Sequence, residues 1–83
     1  LMTSPVHVVE LSKPIFQGGK FIRRLRLRVP TEADLREAQE FDGTVGERGL
    51  YHLARLCNVS PRALVKASDD DLEALQAAYE RVA

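Results

Sequence analysis

Phe21-Ile22-Arg23-Arg24-Leu25-Arg26-Leu27-Arg28-Val29, followed by Pro30-Thr31-Glu32-Ala33-Asp34-Leu35, is the stretch that decides the fold. Up to Val29 the pattern has period two. Phe21, Leu25, Leu27 and Val29 point one way and Arg24, Arg26 and Arg28 the other, as a half-buried strand with one solvated basic face requires. Arg23 falls on the apolar side and is expected near the fraying end. Pro30 ends the strand. Thr31 then starts a helix as N-cap, with Asp34 taking the third position of a capping box where Glu is the usual choice. The switch from period two to period 3.6 at Pro30 divides the chain.

Working back toward the N-terminus, Gln17-Gly18-Gly19-Lys20 is a turn, since two glycines supply positive φ without strain. Before it, Val6-His7-Val8-Val9-Glu10-Leu11 is short and β-branched, and Ser12-Lys13-Pro14 is expected to break that strand. Leu1 ahead of Met2 is set aside as an expression remnant or an alternative start. Working forward, Leu35, Ala38 and Phe41 form a thin apolar stripe on a helix near 32–41, which Asp42-Gly43 stops. Thr44 to Gly49 reads as a hinge. Leu50, Leu53, Ala54 and Cys57 share one face of a second helix near 47–57. Ser60-Pro61 restarts a short helix to about 67, with Leu64 and Val65 apolar. Ser68 caps a fourth, near 69–82, whose Asp69, Asp70 and Asp71 suit the helix dipole and whose Leu72, Leu75, Tyr79 and Val82 form the buried stripe. The expected class is α+β. An antiparallel hairpin, residues 6–29, precedes a cluster of about four short helices, residues 31–82, in a single domain over 1–83.

Eighty-three residues bury roughly 60 to 65% of their unfolded surface, so the core is thin and a partner or a homo-oligomer would add stability. The net charge of zero is unevenly placed. Residues 1–30 carry six basic side chains against Glu10, and residues 31–83 carry six against eleven acidic ones, a split of +5 and −5. Such polarity favours an acidic partner or head-to-tail association, unless the two halves neutralise each other within the fold. No apolar run reaches the ~20 residues of a membrane span. No basic segment precedes an apolar one near the start, so no signal peptide is expected. The lone Cys57 excludes an internal disulfide, and a cytoplasmic location is expected.

Nothing in the pattern points to catalysis, a metal or a cofactor. His7 and His52 fall in different elements without ligand-spaced neighbours. Cys57 sits on an apolar face, where it acts as a small hydrophobe. Asp69-Asp70-Asp71 lacks the alternate spacing of a calcium loop. Residues 50–66 have the outline of a helix-turn-helix, from Leu53-Ala54 through Asn58 to Ser60-Pro61, with Arg62 and Lys66 in the places that would face a major groove. That alternative, a DNA-binding regulator, is opposed by the −5 charge of this half, because phosphate contact needs positive potential. Nucleic-acid binding is therefore not expected.

The chain also resembles a known family. Val9-Glu10-Leu11-Ser12-Lys13-Pro14-Ile15, then Gly19-Lys20, then Leu25-Arg26-Leu27-Arg28-Val29-Pro30-Thr31 with Asp34-Leu35 is similar to the small tail assembly chaperones of contractile-tailed bacteriophages and prophages. Leu53-Ala54-Arg55-Leu56, Val59-Ser60, Leu64 and Asp71-Leu72 continue the likeness over about residues 6–82, while Gly43-Thr44-Val45-Gly46 has no counterpart in the pattern. The resemblance implies a non-catalytic morphogenesis factor of the host-cell cytoplasm, absent from the finished virion. Its partner would be the long helical tape-measure protein, and frameshifting yields a longer product in many phages. A holdase-like grip follows, in which small apolar helices cover the partner's apolar face. The residues expected to carry it are Tyr51, Leu56, Leu75 and Tyr79 on the helices, with Arg24, Arg26 and Arg28 as a second, charge-complementary surface.

Overall fold

In a computed structural model, which describes residues 6–82, two antiparallel strands precede four helices. The strands are β1 (Val6–Gln17) and β2 (Lys20–Arg28). The helices are α1 (Glu32–Glu40), α2 (Val45–Cys57), α3 (Pro61–Leu64) and α4 (Asp69–Val82). The α+β class and the hairpin-then-helices order agree with the sequence. Leu1 and Met2 lie outside the described residues. Gly18 and Gly19 turn the hairpin with φ of 61° and 78°, and consecutive positive φ values mark the turn whose twist matches the strands.

The hairpin departs from the sequence expectation in two linked ways. Ser12-Lys13-Pro14 does not end β1; the strand bulges there and continues to Gln17. Glu10 pairs with Arg24 and Ile15 with Ile22, so Leu11 to Pro14 face Arg23 alone. An insertion of this kind bends a strand and breaks its alternation. The inward parity accordingly changes along β2. Leu25 and Leu27 point into the core, but nearer the turn it is Ile22 that packs there, while Phe21 is exposed. Arg23 occupies the point of change.

Asp71 explains why the bulge survives. Bulged residues lose their ladder partners, and unpaired amides are costly when water is excluded. The amides of Ser12 and Lys13 donate to the two Asp71 oxygens at 2.9 and 3.0 Å, and the Ser12 hydroxyl donates to Oδ1 at 3.0 Å. Asp71 in turn donates its own amide to Ser68 Oγ at 3.2 Å, so Ser68 caps α4 and the residue it caps receives the bulge. Burial opposes its charge, but these donors outweigh burial and hold the carboxyl below its ordinary range.

The hairpin's inner face carries α2, α3 and α4, and α1 packs on α2. Ile15, Leu25, Leu27, Leu56, Leu64 and Leu75 are fully buried where these elements meet. Thr31 and Asp34 form the expected capping box. The apolar stripe expected on α1 is only half realised. Leu35 is exposed, Ala38 and Phe41 are half-buried, and the buried residue of this helix is Asp34. Thr44 to Gly49 is not a hinge: Thr44 and Glu47 make a second capping box, and α2 begins at Val45. Asn58 ends α2 in the left-handed region at φ 58°, donating to the carbonyls of Ala54 and Arg55. The third helix is a single turn that stops at Leu64, which leaves Val65 exposed. The second helix of the helix-turn-helix outline is therefore only four residues long.

Candidate functional site

Helix α2 has two unlike halves. From Leu53 to Cys57 it lies against the hairpin and is buried apart from Arg55. From Val45 to Gly49 it stands largely in the open. Beside this first half runs a groove between α2 and α4. One part, about 270 Å³, is lined by Ala38, Val45, Arg48, Gly49, His52, Leu53, Gln76 and Tyr79. A second part, about 370 Å³, shares Val45, Gly49, Leu53 and Gln76 and adds Gly46, Leu50 and Leu72. The walls are chiefly apolar, as in sites that receive a helix face.

Four features of the groove have no internal explanation. Val45 is 85% exposed at its mouth. Gly46 and Gly49 have ordinary helical φ, and a Cβ at either would meet no atom closer than 4.0 Å. Glycine inside a helix costs about 1 kcal/mol relative to alanine, so two of them here give up stability that packing does not require. His52 is 8% exposed, and neither of its ring nitrogens has a hydrogen-bond partner among the described residues. Its ring meets Tyr79 edge-on at 5.3 Å. Burial keeps the imidazole neutral by pushing its pKa below the usual value, with Arg28 and Arg55 adding to that effect and Asp34 opposing it. Arg48 Nε, on the same wall, is likewise buried and unpaired.

The residues anticipated from sequence are distributed as follows. Tyr79 lines the groove. Tyr51 is half-buried outside it, stacked on Phe41 with centroids 4.5 Å apart, its hydroxyl donating to Glu37 at 3.4 Å. Leu56 and Leu75 are core residues, 1% and 0% exposed, because the hairpin packs over them. Arg24 pairs with Glu10 at 2.6 Å on the open surface. Arg26 is exposed and has no ion pair among the described residues. Arg28 is not on a free basic face, since it turns to Asp34. Its two terminal nitrogens both reach that carboxylate, Nη2 at 2.9 Å, and Arg55 Nε joins at 2.6 Å. The amide and hydroxyl of Thr31 add bonds of 2.8 and 3.0 Å. The Arg28 guanidinium holds the Asp34 carboxyl well below the usual carboxylate range. Burial opposes the shift, while Thr31 and Arg55 reinforce it.

Each oxygen of Asp34 and Asp71 is thus engaged within the fold. Cys57 is buried, and burial pushes its thiol up to about 11. No cluster of three His, Cys, Asp or Glu side chains suited to a metal occurs among the described residues, and no helix there is long and apolar enough to cross a membrane.

Sequence reasoning missed the groove's glycine wall, because Thr44 to Gly49 reads as a hinge. The available signal was the Thr44-Val45-Gly46-Glu47 capping pattern, which places both glycines inside a helix.

A family model described as phage tail assembly chaperone proteins, E, or 41 or 14, matches residues 8–83. No curated protein and no solved structure matches the chain.

Proposed function

The chain belongs to the phage tail assembly chaperone family, and on that premise we propose that it binds the tape-measure protein during tail morphogenesis, without catalysis, in the cytoplasm of the host cell. The groove between α2 and α4 is the observation that carries this reading. A tape-measure chain is long and helical, and its apolar faces aggregate if they stay exposed before the tube forms around it. A groove walled by Val45, Leu50, Leu53, Leu72 and Tyr79 offers such a face a place to bury. Gly46 and Gly49 let a second backbone approach closely. Tyr79 is the aromatic anchor within the groove, Tyr51 lies outside it beside Phe41, and Leu56 and Leu75 belong to the core. The free protein self-associates through its oppositely charged halves, weakly enough to yield to the partner.

Co-expression tests the reading. The tape-measure protein encoded nearby is expected to move from the insoluble to the soluble fraction, with this chain co-purifying. Gly49→Leu fills the groove from a position where a Cβ meets nothing; once circular dichroism has confirmed its fold, the variant is expected no longer to solubilise its partner. If wild type leaves that protein insoluble and never co-purifies with it, the reading is wrong.

A further inference from the structure

We propose a second docking surface, at the hairpin tip, that takes an acidic amphipathic segment of a partner protein. It lies apart from the α2–α4 groove, shares no residue with it, and does not depend on what that groove binds. Phe16 and Phe21 pair across the hairpin and are 57% and 69% exposed. Their rings meet edge-on at 5.2 Å, an apolar knob on the solvent side of the sheet. Paired large aromatics left in water on a rigid element are the kind of exposed apolar surface that marks an interaction site.

The knob is framed by cations. The amide of Ser60 donates to Gln17 Oε1 at 2.5 Å and fixes the start of α3 against the tip. This places Arg62 and Lys66 beside Phe16, around a cleft of about 290 Å³ whose lining contains no acidic residue. Lys20 is the cross-strand partner of Gln17 at the turn, and Arg23 and Arg26 follow along β2. Lys20, Arg23, Arg26, Arg62 and Lys66 have no ion pair among the described residues. The hairpin's one acid, Glu10, is already paired with Arg24. Unsatisfied positive charge around exposed aromatics is complementary to a segment that alternates carboxylates with apolar side chains. A nucleic acid or an anionic membrane fits less well. Each is an extended polyanion that would also meet the −5 charge of the helical half, and the two rings pack on each other instead of presenting parallel faces for bases.

Fluorescence anisotropy of the full chain with a labelled amphipathic peptide of Glu and Leu tests this. Comparison probes are a Lys/Leu peptide, a thymidine oligonucleotide of the same length and vesicles containing phosphatidylglycerol. The Glu/Leu peptide alone is expected to bind. Its affinity falls about tenfold in Phe21→Ser, and at least as far in a Lys20→Glu, Arg62→Glu, Lys66→Glu triple variant and on raising salt to about 0.5 M. Gly49→Leu binds this peptide as wild type does, which separates the tip from the groove. All substituted tip residues are exposed, and circular dichroism confirms the fold; should the triple variant not fold, Phe21→Ser carries the test. Absence of binding, indifference to the tip variants, or tighter binding of the oligonucleotide or vesicles overturns the proposal. So does a sedimentation profile in which the tip variants abolish self-association while the peptide is not bound, since the occupant is then a second copy.

Discussion

Two regions of this small protein treat their buried polar groups in opposite ways. Around Asp34 and Asp71 every carboxylate oxygen is engaged, by Arg28, Arg55 and Thr31 in one case and by the bulge residues Ser12 and Lys13 in the other. Along the α2–α4 groove, His52 and Arg48 keep buried nitrogens without partners among the described residues, and helix stability is given up at Gly46 and Gly49. Satisfied polar groups hold the hairpin to the helices. Those without a partner fall along the groove that the proposed partner would occupy.

The largest effect is expected at Asp34. Asp34→Ala removes an N-cap bond and the shared partner of two arginines, and is expected to cost about 3 kcal/mol. The arginines are more than a third exposed and return to water, which keeps the loss at the lower end of that for a broken buried pair. Chemical denaturation measures it. Asp71→Ala is expected to cost about 2 kcal/mol, because the Ser12 and Lys13 amides lose a charged acceptor. Amide hydrogen exchange localises that loss, with protection falling at the bulge well before it falls at Val9 and Leu25. An equal loss across the hairpin would mean that the bulge does not depend on α4.

Acid probes both locks together. Both carboxyls titrate lower in the folded chain than in the unfolded one, so their stabilisation is complete above the unfolded value of about 4 and is lost as pH falls below it. Melting temperature against pH is expected to drop steeply there in wild type and less steeply in Asp34→Ala or Asp71→Ala.

The groove responds with the opposite sign. Gly49→Ala is expected to stabilise the protein by about 0.5–1 kcal/mol, since a methyl group fits without contact and the helix gains propensity. Destabilisation would show that the glycine is required by the fold and is not reserved for a partner. The smallest effect belongs to His52. Its folded pKa lies below the unfolded 6.5, so the unfolded chain takes up a proton first and stability declines gently as pH falls below that value. His52→Phe is expected to remove this slope.

What the sequence determined by itself is whatever depends on neighbouring residues. The period change at Pro30, the two-glycine turn, the Thr31 and Ser60 caps and the stripe Leu53, Ala54, Cys57 are all local patterns, and they yield the hairpin-then-helices order. Tertiary structure decided the rest. Ser12-Lys13-Pro14 reads as the end of a strand because the acceptor that rescues its amides, Asp71, lies 59 residues beyond Ser12. Arg28 reads as part of a solvated basic face because alternation says nothing of a carboxylate six residues on that folds back beneath it. Tyr51, Leu56, Leu75 and Tyr79 look alike on helical wheels, yet the hairpin covers two of them and leaves two half-buried. Periodicity fixes which face of an element is apolar. Which part of that face is covered depends on how the elements cross, and that follows from contacts between residues far apart in the chain.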